Sequence, residues 1–191
     1  MMETIIALLA GIGLSAACGF RVFLPMSGLS IASLSGHITL GQGFEWIGTW
    51  PALIAFIFAT ALEIGAYYIP LLDHILDAAM TPVAIAAGTI VTASMLVDIS
   101  PFLKWSLAII AGGGASAIVQ TGAIALRAAS SGATGGMVNF LVSTGEFFGS
   151  TLITICAILF PVLCFFFVLL ICWLMIKKIA KSSFIREHFT S

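Results

Sequence analysis

Ala59-Thr60-Ala61-Leu62-Glu63-Ile64-Gly65-Ala66-Tyr67-Tyr68-Ile69-Pro70-Leu71-Leu72-Asp73 is an apolar run with a carboxylate in its middle and two more, Asp73 and Asp77, at and just past its end. It stands in a chain that is 61% hydrophobic and only 8% charged. Soluble domains carry about a quarter of their residues as charges, and a mean hydropathy of +1.20 lies far outside that class. The run around Glu63 therefore reads as a lipid-embedded helix, and the chain as an all-α integral membrane protein. Its apolar residues fall in stretches of about 20, which suits a polytopic helical bundle and not the alternating ten-residue segments of an outer-membrane barrel.

Working outward from Glu63, five transmembrane helices can be drawn, over residues 4–24, 51–70, 82–97, 105–127 and 150–176. Pro51 and Pro82 sit where a first helical turn tolerates a missing N–H, with Thr81 as a cap before Pro82, while Pro25, Pro70 and Pro101 follow expected helix ends. Pro161 falls inside the fifth span and predicts a kink there. The first span has Glu3 but no basic residue ahead of it, so it is expected to be a retained helix and not a cleaved signal. Cys18, Cys156, Cys164 and Cys172 lie inside spans and form no CxxC pair, which reads as apolar packing. No metal or cofactor is indicated.

Lys177, Lys178, Lys181 and Arg186 crowd the tail, 179–191, and place it in the cytoplasm by the positive-inside rule, so the expected location is the inner (cytoplasmic) membrane. With five spans the N-terminus, and the loop holding Asp73, His74 and Asp77, then lie outside, and the loop with Lys104 inside. Arg127 falls on the opposite side and does not help this assignment.

Sliding the chain against itself by 101 residues lays Ala10-Gly11-Ile12-Gly13-Leu14-Ser15-Ala16 over Ala111-Gly112-Gly113-Gly114-Ala115-Ser116-Ala117 with five of seven identities. At the same offset Glu45-Trp46-Ile47-Gly48-Thr49 lies over Glu146-Phe147-Phe148-Gly149-Ser150. The match predicts an inverted repeat of three helices plus two, residues 1–100 and 101–178, within one transmembrane domain. Small residues matched by chance in membrane helices are the alternative. Gly11, Ser15 and Gly19, with Gly112 and Ser116, predict a close crossing of spans one and four.

Glu63 would stand about 18 Å along a hydrocarbon layer of about 30 Å if its helix began at Pro51. Ionised and facing lipid it would cost about 3 kcal/mol or more, so it must face the interior, carry a proton or have a partner. Tyr67 follows on the same face, and Asp73 and Asp77 continue the acidic line, where they could bind or funnel a cation or belong to a solvated loop. Arg21, near the end of span one, either snorkels to the interface, its default, or turns inward to a carboxylate. Glu45 and Glu146 each precede a span, where a carboxylate caps a helix N-terminus. The Gly/Ser-rich segments 26–48 and 128–149 are either re-entrant elements or interfacial loops; Asn139, Ser143 and Glu146 share a helical face in the second and make it the better binding surface.

These residues resemble the bacterial membrane family catalogued as domain of unknown function 4126. The resemblance rests on Gly19-Phe20-Arg21 with Phe23 and Pro25, on Glu63, Pro70, Asp73, Asp77 and Pro82, and on Asn139, Ser143 and Glu146. The family often has Asp-Lys where this chain has Tyr67-Tyr68, and Pro where it has Phe140. The resemblance implies no substrate.

A transporter or channel-like protein is the leading expectation, for an ion, a small solute or a lipid-linked molecule, with Glu63 binding a cation or proton, the lipid bilayer as medium and a second copy of the chain as a candidate partner. The alternative is a non-catalytic membrane partner or assembly protein whose polar groups hold helices together. An enzyme is not expected: HExxH, GxSxG and P-loop motifs are absent, and His37, His74 and His188 fall in loops or the tail. Basic residues are too few for nucleic acid.

Overall fold

A computed structural model describes residues 2–67, 70–134 and 138–189, with the backbone alone for 67, 70–77, 133–134 and 178–189. The described residues are helical throughout, joined by short turns, with no strand. Among the described residues three helical stretches are long and apolar enough to cross a membrane: Ala78–Met95, Pro101–Gly132 and Asn139–Leu159.

The helices run alternately between two ends of a bundle. α1 (Met2–Cys18) is followed by a turn at 19–22 and then α2 (Phe23–Leu34), which folds back. Residues 37–39 thereby return beside Glu3, Thr4 and Ala7, lining with Asp98, Ile158 and Pro161 a cleft of about 560 Å³. At this same end a 3₁₀ turn (Glu45–Gly48) leads into α3 (Trp50–Tyr67), the Gly41 N–H donates to the Ser94 carbonyl at 2.7 Å, and Phe44 stands 6.1 Å from Trp105. α4 (Pro70–Met95) returns, and Ser100 caps α5 (Pro101–Leu107) by accepting from the Leu103 N–H at 3.4 Å. A π-helical turn (Ala108–Gly113) joins α5 to α6 (Gly114–Thr134). α7 (Asn139–Leu159) comes back, and α8 (Pro161–Phe189) folds down beside it, the Cys164 thiol donating to the Ile153 carbonyl at 3.6 Å.

These bounds correct the expected spans. The first, 4–24, is two elements, because the turn at 19–22 reverses the chain, and Pro25 sits in the first turn of α2 instead of after a helix end. Pro70 starts α4 and Pro82 lies inside it, while Pro101 starts α5. Pro161 does more than kink a helix: α7 stops at Leu159 and α8 begins at the proline. Of the segments 26–48 and 128–149, expected as re-entrant elements or interfacial loops, residues 26–34, 128–134 and 139–149 are helical and so are not loops. The sides change too. With α2 and α8 both folding back, α4 begins at the end towards which the basic tail of α8 runs, and Lys104 lies at the other, beside Gly41 and Phe44.

α1 is the hub, buried at nearly every position from Ala10 to Cys18 and packed on α4, α6, α7 and α8. Small residues allow it. Ser15 Oγ donates to the Gly88 carbonyl at 2.6 Å and shares a 2.7 Å hydrogen bond with Thr92 Oγ1, so the nearest partner of the Gly11–Ser15 face is α4. Gly19 meets α6 as the sequence led us to expect: a Cβ there would stand 2.6 Å from the Ser116 carbonyl oxygen. The π turn brings Gly112 and Gly113 against Thr92 and Thr89 in the same seam.

Gly19→Ala is therefore expected to cost about 1–3 kcal/mol by overpacking. Gly145→Ala, on α7 with no atom within 4 Å of the added Cβ, is expected to gain about 0.5–1 kcal/mol from helix propensity. Denaturant titration of both variants in detergent checks the opposite signs, and equal shifts would refute the packing account.

Candidate functional site

The break between α1 and α2 exposes backbone groups that a continuous helix would satisfy internally. Their partners come from far away in sequence. Glu63, on α3, accepts from the Val22 N–H at 3.0 Å through Oε1 and from the Phe23 N–H at 3.2 Å through Oε2. The carboxylate thus caps the N-terminus of α2, where the helix dipole favours negative charge. On the other flank Ser150 of α7 donates to the Ala17 carbonyl at 3.0 Å, an oxygen that also accepts from the Phe20 and Arg21 N–H groups of the turn.

Arg21 sits in that turn and points inward; it is 1% exposed. This overturns the expected snorkelling, since Nη2 donates to the Ser143 carbonyl at 3.0 Å and to Ser143 Oγ, and stands 3.6 Å from Glu146 Oε2. Arg127, on α6, reaches the same oxygen with Nη1 at 2.7 Å. Two arginines from separate elements meet on one carboxylate oxygen. Among the described residues, Arg21, Arg127, Glu146 and Glu63 bring two positive and two negative formal charges here, all buried. Ser143 lies four residues after the first residue of α7 and Arg127 seven before the last of α6, so the cluster sits about 6–10 Å inside that end of the bundle.

Of the residues singled out by sequence, Arg21, Glu63, Ser143 and Glu146 come together. Glu146 is not a helix cap: α7 begins at Asn139, and the carboxylate lies two turns inside it. Glu45 stands apart at the opposite end, exposed, accepting from the Gly43 N–H at 2.8 Å. Asn139 ties α7 to α6 by donating to Ser131 Oγ at 2.8 Å. The side chains of Tyr67, Asp73 and Asp77 lie outside the described residues, whose backbone puts Asp73 and Asp77 in the first two turns of α4. The cysteines are free thiols, and among the described residues no group of three His, Cys, Asp or Glu side chains could hold a metal ion.

The model of the family described as domain of unknown function (DUF4126) matches residues 8–181, from the middle of α1 almost to the end of α8 and across the whole cluster. The chain belongs to the DUF4126 family. No curated protein and no solved structure matches it. In this DUF4126 chain the residue that sequence reasoning missed is Arg127. The rule that flagged Glu63 applies equally to it: a charge within an apolar helix needs a partner, and Gln120, seven residues earlier on the same face, is buried as well.

Proposed function

We propose that this protein is a small multi-pass membrane transporter whose solute or ion site is the cluster of Arg21, Glu63, Arg127 and Glu146. The observation that supports this reading best is that four buried charges meet at a broken helix inside an apolar bundle. Charges at membrane depth are expensive and mark ion or substrate pathways, and broken helices that aim an N-terminus at an anionic group are a building principle of transporters. In this reading α3, α4, α5–α6, α7 and α8 make five crossings, and α1–α2 is a re-entrant hairpin whose tip carries Arg21. The basic residues of α8 assign the cluster's end to the cytoplasm.

Mechanistically, the tip at 19–22 is held from α3 through Glu63 and from α7 through Ser143 and Ser150. A change of charge on either carboxylate alters what Arg21 is paired with, and so couples occupancy of the site to the position of the tip. The small-residue seam of α1 against α4 lets the hairpin shift without losing large interdigitated side chains.

Proteoliposomes loaded with a pH-sensitive dye test this. Wild-type protein is expected to dissipate an imposed proton gradient, and Glu146→Gln to lower that flux by at least about tenfold, a loss of about 1.4 kcal/mol or more in barrier terms, with an unchanged gel-filtration profile in detergent. Liposomes that behave like protein-free ones under every ion gradient would end the transport reading. A second reading, a membrane assembly partner with the cluster as helix glue, is favoured by the 2.7 Å Arg127–Glu146 pair between α6 and α7; stoichiometric co-purification of another membrane protein would support it.

A further inference from the structure

We propose that the end of the bundle opposite the charge cluster carries a lipid-binding site, a pocket beside α5 that takes the zwitterionic headgroup of an ethanolamine phospholipid. The site is separate from the cluster and does not depend on transport. It needs only a bilayer around the helices.

A pocket of about 660 Å³ lies between residues 42–44, the link that joins α4 to α5, and α5 itself, within the roughly 300–1,000 Å³ of small-ligand sites. Its charged lining residues are Asp98 in the link and Lys104 on α5. Among the described residues neither has an ion-pair partner, the other included. Lys104 is half-buried. Its Nζ lies 5.9 Å from the centre of the Phe44 ring, and a Cβ on Gly41 would stand 3.3 Å from it. The ammonium is thus packed against an aromatic face and bare backbone. Asp98 takes φ 56°, the left-handed region that few side-chain-bearing residues adopt. Strain of this kind clusters at ligand sites, where the surrounding structure holds it in place.

A cation and an anion line one space without meeting, so a ligand that answers both is itself a zwitterion. A phosphodiester matches the Lys104 ammonium. A primary ammonium, with three N–H donors, matches the Asp98 carboxylate. A quaternary ammonium has no N–H to donate and seeks an aromatic face, and Phe44 already gives its face to Lys104. A glycerol headgroup brings no cation for Asp98.

The position of the pocket puts this zwitterion on a lipid. Pro101 opens a stretch long and apolar enough to cross a membrane, so Lys104 stands about 4–5 Å inside its start, at headgroup depth. Trp105, Trp46 and Trp50 are exposed at this end, as in the aromatic belt of a membrane surface. Four residues beyond Trp105, the exposed Ile109 continues an apolar track for the acyl chains.

Purified protein in neutral detergent, titrated with dioleoyl lipids bearing ethanolamine, choline or glycerol headgroups while the melting temperature is followed, tests this. Wild type is expected to bind the ethanolamine lipid with an apparent affinity about tenfold higher than either of the others. Asp98→Asn, which tolerates the same backbone, is expected to bind ethanolamine and choline lipids equally. Lys104→Gln is expected to weaken both by about tenfold. Glycerophosphoethanolamine, the same headgroup without chains, is expected to compete at least about tenfold less well than the lipid, since it has no apolar surface to bury.

A wild type that responds equally to the three lipids, or most to the glycerol one, overturns the proposal whatever the variants do. So does an ethanolamine preference that survives Asp98→Asn. A chain-free headgroup that competes as well as the lipid overturns the assignment to a lipid.

Discussion

Replacing Arg127 with methionine is expected to destabilise the protein by about 3–5 kcal/mol, the cost of leaving a buried carboxylate without its closest cation. Arg127 stands 2.7 Å from Glu146 Oε2 against the 3.6 Å of Arg21, and the Arg21 guanidinium is already shared with Ser143. The methionine fills much of the lost volume, so the effect isolates charge from packing. Adding Glu146→Leu to the same chain removes the orphaned carboxylate and is expected to recover most of the loss, with a coupling energy of about 2 kcal/mol or more. Denaturant unfolding of the two single variants and the double variant in detergent measures this cycle. A single Arg127→Met within about 0.5 kcal/mol of wild type would show that the pair does not hold the bundle together.

Glu63→Ala is the second large effect, expected at about 3 kcal/mol, because one buried and one part-buried N–H group at the start of α2 lose a charged acceptor worth about 1.5–3 kcal/mol per hydrogen bond. The loss is local and has its own signature. Hydrogen exchange at the amides of Val22 and Phe23 is expected to quicken about 100-fold, the equivalent of that energy, while amides in the middle of α1 stay protected. Glu63→Asp, one methylene shorter, is expected to fall between the two. Unaltered protection at Val22 and Phe23 in Glu63→Ala would mean that α2 starts there without the carboxylate.

Both effects depend on partners that no local pattern discloses. The run from residue 4 to 24 is continuously apolar, and Gly19, Arg21 and Pro25 within it are compatible with a single helix and a snorkelling arginine. The turn at 19–22 is answered from far away: Glu63, 41 residues from Val22, caps the start of α2, and Ser150, 133 residues from Ala17, binds the last turn of α1. In the same way Arg21 turns inward because Ser143 and Glu146 await it on α7, 122 residues downstream in the case of Ser143. Glu146 was legible as a member of one polar face with Asn139 and Ser143, but not as the meeting point of two arginines, since the start of α7 at Asn139 was hidden in a Gly/Ser-rich stretch that also suits a loop. Arg127 is visible in the sequence, where its charge bears only on topology.

Composition decided that this fold is helical and apolar enough to suit a membrane. A chain this apolar must bury its backbone in helices, its Gly and Ser faces must let α1 pass close to its neighbours, and a carboxylate at Glu63 must turn away from lipid, because each of these costs is set residue by residue and adds up along the chain. Tertiary structure alone decided where the helices break and which charge answers which. Those are energies of pairs, present only once α3, α6 and α7 have closed around the turn at 19–22, and a pair separated by a hundred residues leaves no trace in the spacing of either member.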